Sequence, residues 1–463
     1  MRYLYPILSL ALLSGCSLAP DYERPASPVA ESFPLAENVP GTQNVPKWET
    51  VYANPELQQL IDLALEHNRE LRITKLNTEQ LRAYYRIQRA ALLPSLDASG
   101  SGTRQRTPAD LSYSGQSTTS SSYNVGLQMP SYELDFFGRI LSLKDQALQS
   151  FLATEAAEAS AEISLVRSVA NQYYNLLALR EQHALAISSM EAAQRAYQIN
   201  KDSFDAGIGT ELDLRTAEAQ TQAYRAQALS LESQMQQATN LLAQLIGTKL
   251  PELAKQSILA SQNTPIDLPV GLPSDLLTRR PDIRAAEHQL MAAHANIGAA
   301  RAAFFPSVRL TAFGGTASAE LSGLFESGSA MWSFTPSITV PIFAAGRNKA
   351  NLDVAWIQQR SEIAAYELAI QTAFREVSDA LAVQATIKEQ ITAQEIRVQA
   401  AERRKELTSQ RFDAGVDSYL PVLLAQQELF SARQDLIQAR LSKLTNQSAL
   451  FAALGGGWDD NEQ

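Results

Sequence analysis

Hydrophobic and polar residues alternate one by one over two short stretches of the chain and recur at three- and four-residue steps over two long ones. In the first kind, Trp332, Phe334, Pro336, Ile338, Val340 and Ile342 interleave with Ser333, Thr335, Ser337 and Thr339. Tyr123, Val125, Leu127 and Met129 alternate likewise, with the parity slipping near Pro130. Period two marks a strand with one apolar face, and the slip predicts a bulge. Partner strands are predicted from Ser95 to about Arg104 and from Ser307 to about Ala317, with Ser-, Gly- and Thr-rich loops between. Two hairpins result, at about 95–134 and about 307–343.

In the second kind, Val166, Val169, Tyr173, Leu176, Ile187 and Met190 form one seam, and Ile370, Phe374, Val377 and Leu381 form another. This is coiled-coil spacing, interrupted in the first seam by Arg180 and His183. The predicted helices span 139–204 and 347–412, each roughly 100 Å long at 1.5 Å per residue. Tight turns follow, then helices at 211–246 and 418–454. A shorter helix precedes each hairpin, over about 55–93 and 274–305, and each is stopped by Pro, which cannot continue a helix.

The chain repeats itself. Phe204-Asp205-Ala206-Gly207 recurs as Phe412-Asp413-Ala414-Gly415, 208 residues on. At the same offset Gly138-Arg139 recurs as Gly346-Arg347, and Leu245-Ile246-Gly247 as Ala453-Leu454-Gly455. Leu93-Pro94-Ser95 has its echo in Phe305-Pro306-Ser307. Matches in one order at one near-constant offset indicate two copies of one unit. The division is a first repeat over 54–253, a linker over 254–271, a second repeat over 272–457 and a tail over 458–463.

Composition changes the picture in two ways. Of the 463 residues 45% are hydrophobic but only 7% aromatic, which suits long, closely packed helices rather than a thick globular core. A net charge of −10 disfavours nucleic acid as a partner. The N-terminus is more specific. A short basic start and the apolar run from Ile7 to Leu13 lead into Leu13-Ser14-Gly15-Cys16, which resembles a bacterial lipobox. Residues 1–15 are then a signal peptide, and Cys16, the single cysteine of the chain, is the lipidation site. Ser17 follows it, where Asp would favour inner-membrane retention. Residues 16–53, rich in Pro, Ser and Asn, read as an extended tether.

Strands of about ten residues with one apolar face suit a transmembrane barrel; a half-buried soluble sheet has the same pattern. In a bilayer, four strands cannot close without unpaired edges. Two chains would give eight strands and a filled interior, three would give twelve and a lumen. The lipobox favours the barrel, and a duct for solutes then implies a trimer continued by helices.

The residues Gly271-Leu272-Pro273-Ser274-Asp275-Leu276-Leu277, Arg279-Arg280-Pro281-Asp282-Ile283, Ile297-Gly298-Ala299-Ala300-Arg301 through Ser307, Tyr132-Glu133-Leu134-Asp135-Phe136-Phe137-Gly138-Arg139 and Leu454-Gly455-Gly456-Gly457-Trp458 carry a family likeness. The chain resembles the TolC-like outer-membrane factors, most of all the OprM-type lipoproteins of multidrug efflux, over nearly its whole mature length. The resemblance implies a homotrimeric, twelve-stranded transmembrane β-barrel, four strands per chain, continued by an α-helical coiled-coil tunnel in the periplasm. It also implies a passive exit duct docked to a periplasmic adaptor and a proton-driven inner-membrane pump of the resistance-nodulation-division type. An exit duct for secreted protein or metal ions has the same fold.

The tip turns would carry Asp205, Gly207, Asp413 and Gly415, and the resemblance maps the pore gate onto Asp213, Asp417, Tyr419, Leu420 and Leu424. Many relatives place Asp where this chain has Leu424, so an apolar seal is expected here. By turn chemistry alone, Asp205, Asp413 and Asp417 are also ordinary turn acids.

No catalytic constellation stands out, so no enzyme activity, cofactor or metal is expected. His288 and His294 lie six apart on a predicted helix, pointing away from each other, and His67 and His183 lie far off in sequence. Gly455-Gly456-Gly457 lacks the Lys-Ser/Thr of a phosphate loop.

Overall fold

The computed structural model describes residues 17–34, 45–252, 258–262, 276–277 and 279–458. Its elements are α1 (Trp48–Val51), α2 (Pro55–His67), α3 (Arg69–Ala90), β1 (Asp97–Thr107), β2 (Thr118–Leu134), α4 (Arg139–Asp205), α5 (Glu211–Ile246), α6 (Pro281–Ala302), β3 (Ser307–Ser318), β4 (Ala330–Thr339), α7 (Arg347–Asp413) and α8 (Tyr419–Ala453). The protein is mostly helical with one small sheet. Among the described residues no helix is long and apolar enough to cross a membrane.

Contacts divide the chain into two units that cut across the two sequence repeats. One takes the residues up to Pro25, Asn77–Thr154 and Ala285–Tyr366; the other takes Ala26–Leu76, Glu155–Arg284 and the chain from Glu367 onward.

The first unit holds the sheet, an antiparallel meander in the order β1-β2-β3-β4. Its hairpins pair β1 with β2 and β3 with β4, and β2 joins β3 across a long stretch of chain. The register slips between Met129 and Tyr132, where Pro130 lacks the N–H a ladder needs. Strands hand over to helices through a packed joint. Asp135 Oδ2 accepts the Leu141 N–H at 2.7 Å and so caps α4, while Arg139 forks onto Glu133 at 2.7 and 2.9 Å. Phe137 stacks on Phe305 at 4.7 Å. The N-terminal segment is pinned to α6 in this unit: Arg24 forks onto the buried Glu287 at 2.6 and 2.9 Å, and Arg301 donates to the Leu18 carbonyl at 3.0 Å.

The second unit is helical. The expected first helix breaks at Asn68, whose side chain accepts the Leu71 N–H and donates to the Leu245 carbonyl at 2.7 Å. Buried positions on α5 run Leu214, Ala217, Thr221, Tyr224, Ala228 and Leu231, alternating steps of three and four. On α7 the stripe runs Ile370, Ala373, Val377, Ala380 and Ile387. Phe374, placed on the seam by sequence, is half-buried while Ala373 is fully covered. On α4 the stripe continues past Arg180 and His183 through Ala186 and Ala193 rather than Ile187 and Met190. Alanine lets helix backbones approach where a larger side chain would hold them apart. Side chains also cross between helices at matched levels. Gln172 on α4 donates to the Ala238 carbonyl on α5 at 2.8 Å, and 208 residues on, Asn446 on α8 donates to the Ala380 carbonyl on α7 at 2.9 Å.

The Arg-Pro-Asp segment has a structural role. Arg280 is buried, forks onto Asp282 at 3.0 and 2.6 Å, and reaches Glu376 at 2.8 Å and the Ala453 carbonyl at 3.0 Å. It ties the start of α6 to α7 and to the end of α8. Arg280→Met should lower stability by about 2 kcal/mol, a charged hydrogen-bond set discounted because both carboxylates are partly wet. Arg280→Lys should recover only part, because an ammonium cannot fork. Melting of the detergent-solubilised protein followed by circular dichroism reads this; a melting midpoint unchanged in the Met variant would contradict the role.

Candidate functional site

The expected tip and gate residues all lie in the second unit, at the turns joining α4 to α5 and α7 to α8. Cys16 lies outside the described residues, as does most of the segment from Gly271 to Leu277.

Both turns are made the same way. Gly207 donates to the Phe204 carbonyl at 2.9 Å and Ile208 to the Ser203 carbonyl at 3.0 Å; Gly415 donates to Phe412 and Val416 to Arg411, both at 2.9 Å. This pairing caps the last carbonyls of a helix and needs a left-handed residue, and the two glycines sit at φ +78° and +70°. Nothing lies within 4 Å of either Cβ position, so conformation rather than space requires glycine there.

The turns differ in how the next helix begins. At α5 the Thr210 hydroxyl donates to Asp213 Oδ2 at 2.6 Å and accepts the Asp213 backbone N–H at 3.1 Å. Thr210 is thus a side-chain N-cap, its hydroxyl held in place by the carboxylate of the residue it caps. At α8 the N-cap Ser418 makes no such bond. An ion pair spans that turn instead: Arg411 Nε and Nη2 bind Asp417 Oδ2 and Oδ1 at 2.6 and 3.0 Å. The hydrogen bond from Arg411 holds the Asp417 carboxyl below its usual value of 3.8. Asp205 meets Lys201 one turn back at 3.3 Å, and Asp413 is exposed. Asp213 and Asp417 are thus each engaged by their own turn.

The remaining expected gate residues divide by helical face. Tyr419 is only 3% exposed and packs with Val422, Leu423 and Ala217, edge-on to Phe412 at 5.7 Å. Burial pushes its phenol up, and its hydroxyl has no hydrogen-bond partner among the described residues. Leu420 and Leu424, one helical turn apart, are instead 55% and 47% exposed. Sequence reading missed that the first turn carries a matching pair: Ile208 and Leu212 are 84% and 75% exposed, at the repeat positions of Val416 and Leu420. The offset of 208 was the signal that could have found them. The two hairpins pack side by side, with Gln427 donating to Gln220 at 2.7 Å and Tyr224 edge-on to Phe430 at 5.0 Å.

Among the described residues no three His, Cys, Asp or Glu side chains cluster; His288 bonds Gln149 at 2.7 Å, while His294 faces the Tyr22 ring. What the arrangement offers is two glycine-turned tips bearing exposed apolar residues.

Known proteins share this architecture. Residues 60–248 and 272–456 match the model of the family described as outer membrane efflux protein. The solvent efflux pump outer membrane protein SrpC of Pseudomonas putida is 46% identical over 98% of each chain. The open-state crystal structure of the MtrE outer membrane channel of Neisseria gonorrhoeae superposes with a TM-score of 0.86 at 42% identity, covering 96% of this chain and 98% of that one. The CmeC outer membrane channel of Campylobacter jejuni gives a TM-score of 0.91 at 26% identity over 97% and 96%.

The ion pair makes the second turn the sensitive one. Asp417→Asn should speed amide hydrogen exchange across 414–420 and leave 206–213 unchanged. Because the Asp417 pKa is lowered on folding, its contribution is complete above the ordinary value of 3.8 and is lost as pH falls through the lowered one. Exchange across 414–420, corrected for intrinsic rates, should therefore be flat from pH 8 to 5. Equal exchange in both turns of the variant, or a transition near neutral pH, would contradict this.

Proposed function

The chain belongs to the outer membrane efflux protein family, and we propose that three copies of it form the channel-tunnel of a tripartite efflux pump. The assembly conducts substrates passively from a periplasmic adaptor and a proton-driven inner-membrane pump to the exterior. It does no chemistry of its own.

The observation that carries this reading is the sheet. Its four strands form a meander whose outer strands, β1 and β4, each have a free edge. All of β4 is exposed in the single chain, Trp332, Phe334 and Ile338 on one face and Ser333, Thr335 and Ser337 on the other. A strand exposed on both faces with polarity this segregated suits lipid on one side and water on the other. Three copies supply twelve strands, enough for a lumen. Left-handed glycines at 138 and 346, 207 and 415, and 247 and 455 stand 208 apart and support two internal repeats. A trimer would then present six similar hairpins around its axis. Cys16 would carry the acyl anchor in the outer membrane, with the helices in the periplasm.

Within this frame Leu420 and Leu424 form the seal. Residues one helical turn apart share a face, so three copies stack two apolar rings, and narrow apolar rings stop ions by dewetting. Asp417 serves the turn that carries them. The second hairpin, lacking a side-chain N-cap and held by an exposed ion pair, is the one that yields when the tip opens.

Leu420→Ser should raise the conductance of the resting channel in planar bilayers, and adding Leu424→Ser should raise it further. Asp417→Asn should change the frequency of openings more than the size of the closed-state leak. Parental leak in both Leu variants, with a large leak in Asp417→Asn, would make the seal electrostatic and overturn this assignment.

A further inference from the structure

At the loop end of β1, on the apolar side of the sheet, stand Arg104 and Arg106. Side chains alternate along a strand, so Ala98, Gly100, Gly102, Arg104 and Arg106 share one face. Tyr123 and Val125 lie over that face: a methyl group added at Gly102 would meet the Tyr123 ring at 2.9 Å, and one at Gly100 would meet the Val125 side chain at 3.4 Å. Register carries the face across the sheet, with Ala98 opposite Leu127, Leu127 opposite Gly314 and Gly314 opposite Trp332. This is the face read above as meeting lipid.

Toward the loops the face changes character in one step. Its β1 positions pass from Ala98, Gly100 and Gly102 to Arg104 and Arg106, and their partners on β2 pass from Leu127, Val125 and Tyr123 to Ser121 and Thr119. Both arginines are exposed, and Arg106 Nη2 reaches Ser117 Oγ at 3.5 Å. The loops above them, 108–117 and 319–329, contain Asp110, Glu320 and Glu326 and neither Lys nor Arg. Two guanidinium groups at the upper boundary of an apolar band face the depth at which a bilayer places its phosphates. A guanidinium can grip two phosphate oxygens at once.

We propose that Arg104 and Arg106 bind lipid-borne phosphate in the outer leaflet, fixing the depth of the barrel in the membrane. This rests on the barrel reading above. The partner is a phosphorylated lipid, since the pair lies on the lipid face below the acidic loops rather than along the exit path.

The test uses full-length trimer in a non-ionic detergent, titrated with diphosphoryl lipid A, with the same glycolipid stripped of phosphate, and with inorganic pyrophosphate as competitor. Bound lipid is counted by native mass spectrometry. Arg104→Ala with Arg106→Ala should weaken diphosphoryl lipid binding about thirtyfold, and the stripped lipid should bind the parent about as weakly. The corresponding Lys pair, which keeps the charge, should retain most of the affinity. Equal binding by parent and Ala pair overturns the proposal, and so does displacement by pyrophosphate at concentrations comparable to the lipid's, which would mark a free-anion site. The Ala pair should conduct like the parent in planar bilayers, so that a binding result is read on an intact barrel. Unchanged lipid binding with normal conductance rejects this proposal alone, whereas a parent chain that never conducts rejects the barrel reading and this proposal together.

Discussion

Among the described residues no strand pairs with the outer edges of β1 and β4, and in the proposed barrel hydrocarbon would offer their peptide groups no partner. Each such group left bare in a bilayer costs several kcal/mol. With on the order of ten of them per chain, the total would exceed the net stability of a typical domain. On the barrel reading, a sheet built this way has to meet another sheet. With four strands in a meander, β1 and β4 run in opposite directions, so the β4 of one copy can continue into the β1 of the next without breaking the antiparallel pattern.

The helices would answer a second demand of the proposed channel-tunnel, that its wall be built from closely packed helices. Buried stripes on α5 and α7 hold to three- and four-residue steps and include Ala217, Ala228, Ala373 and Ala380. Crossing bonds from Gln172 and Asn446 link helix pairs at matched levels, one donated from the outgoing helix and the other from the returning one. The larger polar investments sit at the strand-to-helix joint, where Glu133 meets Arg139, and around the buried Arg280. At the tips, by contrast, the second turn relies on one exposed ion pair between Arg411 and Asp417. On the proposed reading, the stronger fastenings sit where the channel would keep its form and the weaker one where it would open.

Much of this was legible in the sequence because it is periodic. The alternation around Trp332, the slip at Pro130 and the 208-residue offset all follow from backbone geometry that local sequence dictates. What was not legible depended on tertiary contacts. The break at Asn68 follows from a bond to Leu245, far along the chain. The α4 stripe shifts onto Ala186 and Ala193, which are covered while Ile187 and Met190 are half-buried, and which residue is covered depends on the neighbouring helices rather than on local hydrophobicity. Of the expected gate residues, Leu420 and Leu424 are exposed, but Tyr419 faces its own core and Asp417 its own turn. Pairing across a six-residue separation that spans a turn obeys no helical period, so no sequence rule pointed to Arg411.

The number of copies is what the rest depends on. Native mass spectrometry of the protein extracted from membranes in a mild, non-ionic detergent should find three chains per particle, the count that gives twelve strands and an open lumen. A particle of two chains, with eight strands and a filled interior, or a stable single chain with both edges bare, would contradict the account.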